Sequence, residues 1–176
     1  MKHFLSAVFA LTFFIALTAF SILVTPWNID SNYNIKFSGH GASGTFTGLK
    51  GTVDFDPIAL ATSNIAVSVD AASIQTGNNK KNEHAKGEGW FNAAQYPVIT
   101  FTSSQFSKQA DKFLVKGTLE LHGVNKEVEI PFTFNNNVFE GSFKINRKDF
   151  AIKGSGPSFM VGSEFEISLK VPVIKK

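Results

Sequence analysis

Residues 113–145 read FLVKGTLELHGVNKEVEIPFTFNNNVFEGSFKI. Phe113, Val115, Leu119 and Leu121 alternate with Lys116, Thr118, Glu120 and His122. Beyond Gly123-Val124-Asn125, Val128, Ile130, Phe132 and Phe134 alternate with Glu127, Glu129 and Thr133. Beyond Asn135-Asn136-Asn137, Phe139, Phe143 and Ile145 alternate with Glu140, Ser142 and Lys144. A period of two places one set of side chains on a buried face and the other in water. The Gly/Asn clusters between the runs are hairpin turns. The stretch therefore predicts three consecutive antiparallel strands sharing one apolar face.

The same rhythm extends in both directions. Ile29, Tyr33, Ile35 and Phe37 open it; Ile65, Val67 and Val69 follow; Phe165, Ile167, Leu169, Val171 and Val173 close it. Residues 44–56 are extended with a shift of parity near Gly48 and Gly51, which predicts a bulge or bend. Residues 98–103 form one further strand. Together these make about eight strands. Sequential hairpins with one apolar face each predict an antiparallel sheet closed into a barrel, all-β in class. A barrel of eight strands is either filled by its side chains or holds one small ligand, and periodicity alone leaves both open.

One region breaks the rhythm. Residues 76–97, TGNNKKNEHAKGEGWFNAAQYP, show no period of two. Asn78 or Asn79 is placed to cap a short helix over residues 80–86, with Gly87 ending it. A second helical turn is expected over residues 90–95, stopped by Pro97. An excursion this long in a compact domain is usually functional or disordered. Trp90, Phe91 and Tyr96 favour an ordered one, because such rings seek burial.

Composition narrows the function. The chain of 176 residues has no cysteine, which excludes disulfides, thiolate nucleophiles and a lipid-modified cysteine. Its net charge of +3 is spread along the chain without a basic run, so nucleic acid is not an expected partner. His40, His84 and His122 share no metal-binding spacing, so no metal is expected. Glu83, His84 and Glu88 supply acid and base groups without a nucleophile elbow or paired carboxylates, so no catalytic residues are assigned. Nineteen phenylalanines point to a large apolar interior, or one that holds something greasy. The amino terminus, residues 1–24, begins with Lys2 and His3 and continues as an uncharged apolar run from Phe4 to Val24. This predicts a secretory signal, cleaved after Ser21, or an uncleaved membrane anchor. In either case the remainder works outside the cytoplasm, periplasmic or secreted.

Several motifs occur in a telling order. They are Trp27-Asn28-Ile29-Asp30 with Ile35, Phe37 and His40; Ser73-Ile74-Gln75-Thr76-Gly77-Asn78; and Lys81-Asn82-Glu83-His84. Phe91 through Tyr96-Pro97 and Thr100-Phe101-Thr102-Ser103 follow, then residues 117–124, then Ile145-Asn146-Arg147-Lys148-Asp149-Phe150. In these the chain resembles the YceI-like family of exported, polyisoprenoid-binding proteins across residues 27–174. The resemblance implies a lipocalin-like barrel of eight strands with a helical excursion between two of them. It also implies an apolar cavity for an isoprenoid lipid such as a quinone or polyprenyl chain, no cofactor and no catalysis. Transient membrane contact and a homodimer are further expectations. Lys81-Asn82 stands where the family has Arg-Asp, Ala85 where Leu is usual, Asn125 where Thr is common and Ala151 where Gly is frequent. The expected lining is the inward set Phe37, Phe46, Phe55, Phe101, Phe132, Phe134, Phe143 and Phe165, with Trp90, Phe91 and Tyr96 as a wall or gate. Lys81, His84 and Arg147 are candidate head-group donors at the rim. The competing reading is a barrel packed shut, an exported structural or stress-response module acting through protein contacts.

Overall fold

The computed structural model describes residues 25–154 and 160–176; the expected signal or anchor lies outside them. The chain forms strands β1 (Pro26–Ile29), β2 (Asn34–Gly39), β3 (Ala42–Phe46), β4 (Lys50–Asp54), β5 (Asn64–Asp70), β6 (Val98–Gln109), β7 (Lys112–Leu121), β8 (Val124–Asn135), β9 (Val138–Asn146) and β10 (Glu164–Lys175), and one helix, α1 (Asn79–Lys86). The order around the sheet is β1-β4-β5-β6-β7-β8-β9-β10, closed by β10 pairing with β1. All pairings are antiparallel, and a closed barrel leaves no exposed edge along that ring.

The ten segments make eight strands because two strands are broken. Residues 26–39 form one path along β10: β2 pairs with Phe165–Lys170 and β1 with Val173–Lys175. Residues 42–54 return beside them as β3 and β4. The first break is an Asx turn in which Asp30 Oδ1 accepts from the Asn32 backbone and side-chain amides, each at 2.8 Å. The second contains Gly48 at φ +75°, which accounts for the parity shift legible in the sequence. The breaks are tied together by the Leu49 N–H donating to the Tyr33 hydroxyl at 2.9 Å.

Three expectations are corrected in detail. β6 runs on to Gln109 instead of stopping near Ser103, because a bulge at Ser104 moves the inward parity from Phe101 to Phe106 and hides the period. The β7–β8 turn is His122-Gly123, at φ +55° and +74°, a two-residue turn with the positive angles of the hairpin type, earlier than the Gly123–Asn125 expected. The segment after α1 folds as successive turns, with Asn92 at φ +43°, and its single helical turn, closed by the Tyr96 N–H donating to the Asn92 carbonyl at 2.9 Å, comes two residues later than expected.

The two ends of the barrel differ in what fills them. One end is a plug of aromatic rings centred on Phe55, which has no solvent exposure. Phe106, Phe113, Phe132, Phe134 and Phe139 surround it at centroid distances of 5.1–5.8 Å. The Trp27 indole N–H donates to the Phe55 carbonyl at 2.9 Å and locks the plug to β1. At the other end the sheet parts beside β3. There Thr45 exchanges two backbone hydrogen bonds of 2.9 Å with Gln75, the residue that leads into the excursion, which takes the place a neighbouring strand would occupy.

Candidate functional site

Inside this second end lies a cavity of about 820 Å³. That volume sits within the roughly 300–1,000 Å³ range of small-molecule sites. Its wall is built by inward positions of every strand type, among them Ile35, Val67, Ile99, Leu119, Ile145 and Ile167. Several inward apolar side chains, including Phe101, Phe143 and Leu169, are only partly buried although they face the lumen. The surface they expose is the cavity wall.

The cavity is open because its phenylalanines lie along the wall. Phe165 pairs across strands with Gly39, and Phe37 with Gly44. A Cβ on Gly39 would stand 2.7 Å from the Phe165 ring, and one on Gly44 2.8 Å from the Phe37 ring. Gly117 likewise gives way to the Phe101 ring, at 2.6 Å. Each ring occupies the space that the missing side chain would have taken, so it covers sheet instead of entering the lumen.

The excursion forms the cap. Its neck is closed by the Ala71 N–H donating to the Pro97 carbonyl at 2.9 Å. Asn78 caps α1, its Oδ1 accepting from the Lys81 N–H at 3.0 Å, and Gly87 ends the helix as the sequence indicated. The buried residue of α1 is Asn82, 5% exposed. Its Oδ1 accepts from the Thr76 N–H at 2.7 Å and the Thr76 hydroxyl at 2.8 Å; its Nδ2 donates to Gln75 Oε1 at 2.9 Å. A carboxylate here has no donor for Gln75, so the amide matches its partner. Asn82 thus latches the helix to the segment bridged to β3. Thr76, Gln75 and Asn82 are not among the expected site residues; their signal is that they fall in two of the family-like motifs, residues 73–78 and 81–84.

Of the residues expected to line a cavity, Phe37, Phe46, Trp90, Phe91, Phe101, Phe132, Phe143 and Phe165 stand on its wall. Phe91 reaches it from the cap and packs edge-on against Phe46 at 5.4 Å. Phe55 and Phe134 do not line it: both belong to the ring plug, where Phe134 also meets Trp27 at 5.4 Å. Tyr96 is elsewhere too, over the β7–β8 turn with its ring 4.6 Å from His122, because the close-packed Gly123 leaves room for it there.

The rim candidates separate into two kinds. Lys81 and His84, three residues apart on one face of α1, are exposed and line the cavity mouth together with Gly41 and Met160. Arg147 also lines the cavity but is 5% exposed. Its guanidinium donates to the carbonyls of Gly162 at 3.0 Å and Ile152 at 2.7 Å, to that of Lys153, and to that of Val161 at 3.4 Å. Arg147 therefore staples the two limbs of the β9–β10 connection, and its plane lies 5.2 Å over the Trp90 ring. His40, His84 and His122 lie on the β2–β3 turn, α1 and the β7–β8 turn, and among the described residues no group of three metal-ligating side chains converges. His122 is not a rim group: its Nδ1 lies 3.2 Å from the Phe150 carbonyl, an acceptor, so Nδ1 carries the proton and the buried Nε2 has no partner among the described residues.

With this geometry, comparison with known proteins is informative. A family model described as the YceI-like domain matches residues 27–173. Protein YceI of Escherichia coli O6:H1 is 32% identical over 133 residues, which is 69% of this chain and 70% of that protein. The crystal structure of Burkholderia cenocepacia BcnA superposes with a TM-score of 0.78 at 27% identity, covering 84% of this chain and 99% of BcnA. A polyisoprenoid-binding domain from Saccharophagus degradans, implicated in plant cell wall breakdown, shares the fold with a TM-score of 0.61 at 14% identity, covering 88% of this chain and all of that domain.

Proposed function

Because the chain belongs to the YceI-like family and keeps an apolar cavity under a latched cap, we propose that it is a non-enzymatic binding protein for an isoprenoid lipid. The protein carries, stores or sequesters a quinone or polyprenyl chain outside the cytoplasm. The observation that carries this reading is the cavity of about 820 Å³ at the end of the barrel where the rings lie back on glycines. A lipid-binding domain of the same fold adds support, as does the apolar leader of residues 4–24 for export.

Affinity follows from transfer out of water. Burial contributes about 0.8 kcal/mol per methylene, so each five-carbon isoprene unit gains roughly 4 kcal/mol at most. Association costs on the order of 4–15 kcal/mol. One unit therefore binds weakly and a few units bind well without any specific polar contact. The plug sets the depth: Phe132 is at once part of the ring cluster and part of the cavity wall, and so forms its floor.

The packed-barrel alternative describes only the Phe55 end. The test is direct. Protein purified from its host is extracted with organic solvent and the extract examined by mass spectrometry, and emptied protein is titrated with added quinone and prenyl lipids. Stoichiometric lipid, or saturable binding of either class, is expected. The absence of both a co-purified lipid and binding of any added one would overturn the carrier reading in favour of a packed module.

A further inference from the structure

Among the described residues, the well-exposed large apolar side chains are Ile58, Val98, Met160 and Ile174. Of these, Met160 alone lines the cavity. Its side chain lies in a residue 61% exposed, yet the main chain that carries it is held on two sides. The β2–β3 turn packs against it. Gly41, at φ +78°, has no room for a Cβ because the Met160 carbonyl occupies that space, and the Gly162 N–H donates to the His40 carbonyl at 2.9 Å. From the other side the Arg147 guanidinium donates to the Val161 and Gly162 carbonyls, at 3.4 and 3.0 Å. Met160 is therefore a positioned apolar lip at the mouth, with its thioether open to solvent. It is also singular in composition. The chain has no cysteine, and its two methionines are Met1 and Met160, so beyond Met1 it carries a single sulfur atom.

We propose that Met160 is an oxidation site, and that its conversion to the sulfoxide by hydrogen peroxide weakens the hold of the cavity on an apolar chain. The sulfur lone pair attacks one peroxide oxygen. The S–O bond forms as the O–O bond breaks, the sulfur is oxidised and the peroxide reduced, and the second oxygen leaves as water with the proton of the first. A thioether offers a chain an apolar, polarizable contact, whereas the sulfoxide is polar and holds water at the lip. The chain then gives up apolar burial at the point where it leaves the cavity. The effect on retention rests on the lipid-binding reading; the oxidation chemistry rests on exposure alone.

The full chain, emptied of lipid, is treated with hydrogen peroxide, cleared of it, mapped by peptide mass spectrometry and titrated with farnesol and with a prenylated benzoquinone. One added oxygen on the Met160 peptide is expected, with the thermal unfolding midpoint unchanged and the affinity for both probes lowered about threefold or more. Methionine sulfoxide reductases of both stereospecificities restore the affinity. In Met160→Leu, peroxide leaves the variant's own affinity where it was. Met160→Gln, which puts a polar amide at the lip, lowers affinity without any peroxide. A thioether that survives while aromatic side chains are oxidised overturns the site. Complete oxidation of Met160 with unchanged affinity overturns the control of retention. A loss that persists in Met160→Leu, or that the reductases do not reverse, belongs to other side chains and overturns it too. No binding of either probe by the untreated protein overturns the lipid reading and the effect on retention with it, while the mass map decides the oxidation site on its own.

Discussion

The same strands run through both ends of the barrel, yet one end is solid and the other hollow. β9 supplies inward phenylalanine to both halves, Phe139 to the ring cluster and Phe143 to the cavity wall. At the solid end phenylalanine faces phenylalanine across the strands: Phe113 opposite Phe132, and Phe134 opposite Phe139. Neither ring of such a pair has free wall to lie on, so both turn inward and meet at centroid distances of 5.5 and 4.5 Å. At the hollow end phenylalanine faces glycine: Phe165 opposite Gly39, and Phe37 opposite Gly44. The ring then lies flat over its neighbour and the lumen stays clear. Phe132 stands at the border, opposite Phe113 on one side and Gly141 on the other. The identity of the cross-strand partner decides whether a phenylalanine is filler or lining.

The contrast is broken most severely at Phe55. Phe55→Ala removes the hub of the plug and is expected to cost about 3–5 kcal/mol, read by urea unfolding. If the variant folds, the cavity extends toward the lost ring, and longer prenyl chains gain affinity relative to shorter ones. Gly39→Ala tests the opposite end. The new methyl meets both the Glu164 carbonyl and the Phe165 ring at 2.7 Å, so the β10 backbone must give and the ring moves toward the lumen, with an expected cost of about 1–3 kcal/mol and fewer lipid molecules retained per protein. Loss of stability with full lipid retention would show that the ring does not bound the cavity.

Asn82→Ala separates the cap from the barrel. It strands the Thr76 N–H and is expected to cost about 1–3 kcal/mol, with faster hydrogen exchange confined to α1 and faster lipid release. The smallest effect belongs to the outer wall. Glu129 hydrogen-bonds Lys116, at 2.6 Å, and with its charge holds the lysine above its ordinary value of 10.5. A raised value in the folded state means that the pairing contributes fully below 10.5 and is lost as the pH rises through the raised value. Lys116→Gln should therefore leave lipid binding untouched, and any stability difference from the parent protein should vanish in strongly alkaline solution. The pair is exposed, and the difference is expected to be barely measurable at neutral pH.

Much of this was legible before any coordinates. Alternation from Phe113 to Ile145 specified three neighbouring strands and their inner faces, and all three pair as read. Asn78 or Asn79 and Gly87 marked the ends of the helix, Asn78 being the cap, and the glycines at 48 and 51 marked a bend in a strand. What failed did so where a signal was not periodic. The bulge at Ser104 erased the second half of β6, and with it Phe106 as an inward residue. The latch at Asn82 is not legible in the sequence, because its partners Gln75 and Thr76 become neighbours only when the chain doubles back. Arg147 read as a rim donor, although the carbonyls that engage it lie on both limbs of a connection whose closure the sequence does not show.

The sequence by itself determined a cysteine-free β-barrel with one capped excursion, a polar outside and an inward file of phenylalanines, because side-chain parity is a property of the local backbone period. The tertiary structure alone decided which of those phenylalanines seal the barrel and which leave it open, since that depends on register. Phe37 and Phe134 share the inward parity of their own strands; one meets Gly44, the other Phe139, and the space inside the barrel follows from that difference.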